Sequence, residues 1–299
     1  MGHTGIVMRG YSRFLVIVVM IAGALLAMAR VVPDGEAAPT LAVGSSAYSM
    51  SFGGQDRHYR VYRPATIAAR APLVVVLHGG AGSARQAERD YGWNRQAQAG
   101  RFIVAYPDAV RRSWNAGTCC GPAASARLDD VGFVEAVVRQ VARRAPIDPR
   151  RVYVTGMSNG AMLALRIACE ASTFAAVAPV AGTLVTACPA PRRLSLLQIH
   201  GTADPRVPYG GGPGQGRRID GDARVDGPAV PVINARFRAA NTCAPPRRTV
   251  AGVVTTLGAQ CPGGREVRLV SIDGGRHVWP TSSYDATAMI WQFFAANPR

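Results

Sequence analysis

The feature that most limits what this chain can become is a series of short, continuously apolar runs, at residues 73–77, 102–106, 152–155, 175–180 and 196–200, separated by helical patterns at 84–99, 131–144 and 161–170. A run such as Leu73-Val74-Val75-Val76-Leu77 has no polar face, so it suits a strand covered on both sides, as strands of a parallel sheet are. Strands alternating with helices predict an α/β fold, a mostly parallel central sheet with helices on both faces. One more strand at 267–272 and a closing helix at 284–295 continue the pattern. Ahead of it, residues 48–54 and 57–63 alternate polar and apolar around Gly53-Gly54, which predicts an N-terminal antiparallel hairpin. Segment 210–227 interrupts the order. It is glycine-rich and charged, precedes a helix ending near Asn241, and reads equally as a rim over the active-site face or as a plain linker.

Chemistry concentrates where these strands end. Gly156-Met157-Ser158-Asn159-Gly160 follows the β-branched run 151–155 and opens directly onto a helical segment. A strand that turns into a helix within so few residues has little room for Cβ atoms on either side, and the serine at its apex is left strained with Oγ exposed. The pentapeptide alone is weak, and its context gives it weight. A serine hydroxyl is a poor nucleophile until an imidazole takes its proton, and the imidazole needs a carboxylate to fix its tautomer and stabilise its cation. Asp204 follows the strand at 196–199, and His277 follows the strand at 267–272, so Ser158, Asp204 and His277 come in the order serine, acid, histidine at successive strand ends. Asp220, Asp222, Asp226 and Asp273 are the rival acids. His58 lies in the early hairpin, while His78 and His200 precede the acid and run straight into glycine, as structural residues would. The backbone N–H of Asn159 and that of Gly80, in the glycine loop 78–83 with Gly79 as the next choice, are the expected oxyanion donors. Trp114 and Trp279 offer aromatic faces for a substrate subsite, or are ordinary core residues. Asp129 and Asp130 stand at a helix start and point in different directions there, so they read as a cap rather than a catalytic dyad.

All 34 basic residues are arginine and the formal net charge is +16. Paired arginines are scattered without interleaved aromatics, so the charge reads as coding bias and not as a nucleic-acid surface. Arg9 and Arg13, then an uncharged apolar run at 14–29, then a small-residue region ending at Ala38, follow the order of a secretory signal peptide. The apolar run falls short of the ~20 residues that span a bilayer, so cleavage near Ala38 is expected, with Ala27-Met28-Ala29 as a second site and an uncleaved anchor as the alternative. The expected organisation is a signal peptide at 1–38 and one catalytic domain at 39–299, extracytoplasmic and without a membrane anchor once cleaved. Export permits disulfides among the six cysteines. Cys243 and Cys261 flank a hairpin-like stretch and Cys169 and Cys188 flank a strand, which makes them the first pairs. Cys119 and Cys120 are left as a vicinal pair or as two thiols. No C-x-x-C or histidine cluster accompanies the cysteines, so no metal is expected.

Six motifs in order, Leu77-His78-Gly79-Gly80, Ser113-Trp114-Asn115 with Cys119-Cys120-Gly121, Asp129-Asp130-Val131-Gly132-Phe133, Gly156-Met157-Ser158-Asn159-Gly160, His200-Gly201-Thr202-Ala203-Asp204 and His277-Val278-Trp279-Pro280, resemble the polyhydroxybutyrate depolymerase and feruloyl or acetylxylan esterase group of α/β-hydrolases. The resemblance covers nearly the whole chain after the signal. It implies an α/β-hydrolase fold and a secreted serine esterase that needs no cofactor and acts on polyesters or on esters of plant polysaccharides, without separating the two. A non-catalytic exported binding protein on the same scaffold and a serine peptidase are the rival readings.

Overall fold

The computed structural model describes residues 40–215, 225–281 and 284–299. The expected signal peptide and residues 216–224 of the glycine-rich segment lie outside them. β1 (Gly44–Phe52) and β2 (Gln55–Arg63) pair antiparallel in the expected hairpin. β3 (Ala71–Leu77) is buried along its whole length. Its side chains alternate between two cores: Leu73, Val75 and Leu77 enter one, Val74 and Val76 the other.

The helical pattern at 84–99 is two helices, α1 (Ala84–Asp90) and α2 (Trp93–Gly100). Ser83 caps α1 by accepting from the Gln86 N–H at 3.1 Å, and Gly92, at φ 74°, breaks the run and starts α2 in a left-handed conformation. The break leaves Tyr91 between the helices, with consequences for the site. β4 (Ile103–Pro107), α3 (Gly121–Ser125), α4 (Asp130–Ala142), β5 (Ile147–Met157), α5 (Asn159–Glu170), β6 (Ala176–Val180) and β7 (Ser195–Gly201) continue the alternation. The two-residue strands β8 (Gly212–Pro213) and β9 (Asp226–Gly227) pair with each other and pin both ends of the glycine-rich segment. After α6 (Val230–Ala240) come β10 (Arg247–Ala251), β11 (Val254–Cys261) and β12 (Arg265–Ile272), and α7 (Ala286–Ala296) closes the chain.

Ten strands form one sheet in the order β1-β2-β4-β3-β5-β6-β7-β12-β11-β10. From β4 to β12 neighbours run parallel, and antiparallel hairpins extend both edges. One core packs Phe133, Val137, Met162, Leu165 and Phe237 from α4, α5 and α6 against the sheet. The other packs Ala87, Trp93, Ala97, Ile290 and Phe294 from α1, α2 and α7. Helices therefore cover both faces, and the carboxyl ends of β3, β5, β7 and β12 carry the loops of the site.

Cys169 bonds Cys188, tying α5 to the chain before β7, and Cys243 bonds Cys261, tying the segment after α6 to β11. Cys119 and Cys120 stand side by side and buried at the start of α3.

Candidate active site

Ser158 stands between β5 and α5 at φ 55°, ψ −119°. Its N–H donates to Val180 O on β6 at 2.9 Å, and its C=O accepts from the Met162 N–H at 2.9 Å, so the turn is locked on both sides. A Cβ at Gly156 would meet Gly160 C and O and Leu77 Cβ at 2.8 Å, and one at Gly160 would meet His78 O at 2.5 Å and Leu77 O at 2.6 Å. Glycine at both positions is what lets α5 start hard against the end of β3.

The structure brings Ser158, Asp204 and His277 together. Ser158 Oγ lies 2.9 Å from His277 Nε2, and His277 Nδ1 lies 2.7 Å from Asp204 Oδ2. A carboxylate only accepts, so Nδ1 carries the hydrogen and Nε2 is left to accept from the serine hydroxyl. Asp204 Oδ1 accepts from the N–H groups of Arg206 at 2.8 Å and Val207 at 3.0 Å. Burial alone would raise the Asp204 carboxyl, but the His200 imidazole beside it, the hydrogen bond from His277 and the Val207 N–H hold it well below the ordinary carboxylate range. The loops that carry acid and histidine are laced together: Gly274 N–H donates to Thr202 Oγ1 at 2.9 Å, and Ala203 N–H to Gly275 O at 3.0 Å.

Gly80 and Asn159 both line the cleft around Ser158, and neither backbone N–H has a partner among the described residues. The Asn159 side chain works elsewhere. Its Oδ1 accepts from Trp114 N–H at 2.7 Å and its Nδ2 donates to Trp114 O at 3.1 Å, clasping the 113–120 loop to the start of α5.

Neither tryptophan lines the Ser158 cleft. Trp114 is fully buried and does not face the cleft; its Nε1 donates to His78 O at 2.9 Å, bracing the end of β3. Trp279 is 7% exposed, donates from Nε1 to Thr287 Oγ1 at 3.0 Å, and stacks on Tyr91 with ring centroids 4.4 Å apart. It borders a second recess of about 400 Å³, while the aromatic that faces the main cleft is Tyr91. The Asp129-Asp130 pair divides its labour. Asp129 caps α4 by accepting from the Gly132 N–H at 2.8 Å, whereas Asp130 is buried, 2.7 Å from Arg57 Nη2, and accepts from the Asn115 N–H.

His200, read from the sequence as structural, is part of the acid's surroundings, and several wall residues lay outside the sequence reading. His200 donates from Nε2 to Val207 O at 2.8 Å and stands 3.3 Å from Asp204 Oδ2, so the acid lies between two imidazoles. The cleft, about 580 Å³, is walled by Met157, Met162, Val207, Val225 and Val278, by Gln86, Gln215 and Tyr91, and by Arg206 and Arg276. The two arginines had a readable signal, standing two positions after Asp204 and one before His277. Tyr91 had none, because it depends on the helix break at Gly92.

A family model described as Esterase PHB depolymerase matches residues 57–203. Putative esterase NocK of Nocardia uniformis subsp. tsuyamanensis is 33% identical over 281 residues, covering 83% of this chain and 78% of NocK. Feruloyl esterase B of Piromyces equi is 30% identical over 224 residues, covering 69% of this chain, which spans 39% of that longer protein. Among solved structures, the acetyl xylan esterase from Aspergillus awamori superposes with a TM-score of 0.63 at 14% identity, over 84% of this chain and 99% of its own, a likeness of fold. With a ten-stranded α/β sheet, a serine elbow and these relatives in hand, the chain belongs to the esterase PHB depolymerase family, within the α/β-hydrolase esterases.

Proposed function

We propose that the protein is an exported serine esterase that cleaves carboxylic esters through an acyl-enzyme on Ser158. The observation that carries this reading is the unbroken line from Ser158 Oγ to His277 Nε2 at 2.9 Å and from His277 Nδ1 to Asp204 at 2.7 Å. Ser158 Oγ attacks the ester carbonyl carbon as its proton passes to His277 Nε2, and Asp204 stabilises the imidazolium. The carbonyl oxygen becomes an oxyanion that the N–H groups of Gly80 and Asn159 hold, each donor supplying about 3 kcal/mol to the transition state. The tetrahedral adduct collapses, the C–O bond to the alcohol breaks, and the departing oxygen takes the proton from His277. Water then attacks the acyl-serine by the same route, releasing the acid and restoring Ser158. No step calls for a metal or an organic cofactor.

The family description and the relatives' names direct attention to polyester oligomers and to feruloyl or acetyl esters of polysaccharides as substrates. Export is supported by the Arg9 and Arg13 flank, the apolar run after it, and the disulfides. The test is hydrolysis of a short p-nitrophenyl ester by Ser158→Ala. Turnover is expected to fall by about 10³-fold or more, with an unchanged circular dichroism spectrum. Turnover retained by a folded variant contradicts the assignment.

A further inference from the structure

The described wall of the Ser158 cleft contains no aspartate or glutamate, while two arginines, Arg206 and Arg276, lie on it. They come from different strand ends, β7 and β12, and each neighbours a member of the Ser158–His277–Asp204 array in sequence. Their backbones are fixed and their side chains are exposed. The Arg206 N–H is held by Asp204 Oδ1 at 2.8 Å, and Arg276 O accepts from the Val278 N–H at 3.0 Å. The acid nearest the nucleophile, Asp204, is buried and turned toward His277 and His200, so its charge is already committed.

A guanidinium stays charged at any working pH and presents paired N–H donors that match a carboxylate. Two of them on one partly enclosed wall raise the local potential and draw anions toward the nucleophile. Apolar side chains and neutral glutamines make up much of the remaining wall and suit an uncharged body between ester and anion. We propose that Arg206 and Arg276 make this cleft selective for esters that also carry a free carboxylate, over the same esters with that carboxylate masked. The proposal rests on the esterase reading and specifies its substrate class.

Pairs of substrates that differ by one charge provide the test. A linear 3-hydroxybutyrate trimer as the free acid against its methyl ester places the carboxylate on the alcohol side. Monomethyl adipate against dimethyl adipate places it on the acyl side. At low ionic strength the free acid of at least one pair is expected to show a kcat/KM about five- to tenfold higher, carried mainly by KM. That ratio should shrink toward one in about 0.5 M NaCl, where screening confines interactions to about 4 Å. It should collapse in Arg206→Gln/Arg276→Gln and largely return in Arg206→Lys/Arg276→Lys. Equal or better turnover of the masked ester in both pairs overturns the proposal, as does a ratio that survives the double glutamine substitution. Because the salt series uses the unaltered protein, it decides the matter even where the double variant misfolds. Failure to hydrolyse any of the four esters while a short p-nitrophenyl ester is turned over overturns the proposal and leaves the esterase reading standing; failure on the p-nitrophenyl ester as well removes that reading.

Discussion

Ser158 occupies a backbone conformation that an L-residue adopts at a cost of about 1–3 kcal/mol, and the glycines around it are fixed by contact rather than by habit. Gly160→Ala would drive a Cβ into the carbonyl oxygens of His78 and Leu77, and we expect it to lower stability by about 1–3 kcal/mol, read as a reduced Tm. The acid yields a pH prediction. A carboxyl held below its unfolded value of about 3.9 releases its proton more readily in the fold, so its stabilisation is complete above that value and is lost as pH falls through the folded one. Asp204→Asn should therefore weaken the decline of Tm on acidification below about pH 4. It should also cut kcat by about 10²–10⁴-fold, because an amide no longer enforces the Nδ1–H tautomer. A Tm profile that follows the unaltered protein through the acid range contradicts this part of the account. At this scale the serine, acid and histidine were legible, since each follows a strand run in a fixed order. His200 was legible as a structural residue but not as a neighbour of the acid, because a histidine at a strand end reads the same whether it faces core or a buried carboxylate.

Among the elements, the 113–120 loop shows why aromatic residues near a motif mislead. Trp114 lies in one of the motifs that carry the family resemblance, yet it is held inward by its backbone bonds to Asn159 and its indole bond to His78 O. Asn159→Ala leaves a buried N–H and C=O of Trp114 without partners, and a loss of about 2 kcal/mol or more in denaturant unfolding is expected. The same loop is held from below by Asp130, whose charge depends on Arg57 across from it on β2. Arg57→Ala strands that carboxylate in the interior and should cost about 3–5 kcal/mol; an unfolding midpoint equal to that of the unaltered protein would contradict the pairing. Helix content was legible from periodicity, but the division into α1 and α2 was not, because one left-handed glycine decides it and the apolar pattern runs through the break. Tyr91 enters the cleft wall through that break.

Over the whole molecule, the alternation of strands and helices prescribed a parallel centre, and β3 through β7 with β12 follow it. The far edge was less legible. β10 is exposed along its length and carries Arg247 and Arg248, so its sequence resembles a surface hairpin more than the end of a sheet. Disulfides closing loops of 19 and 18 residues staple this half of the fold, each worth about 3 kcal/mol by restricting the unfolded chain. Reduction is therefore expected to lower Tm clearly at constant pH, and an unchanged Tm after verified reduction contradicts that contribution. The central claim, that the sheet exists to set Ser158 beside His277 as the nucleophile, is tested most directly by trapping it. Treatment with a fluorophosphonate followed by intact-mass and peptide mass spectrometry should show one adduct per chain, on Ser158, formed in step with loss of ester turnover and absent from Ser158→Ala. An adduct on another residue, or turnover that survives complete labelling of Ser158, would contradict it.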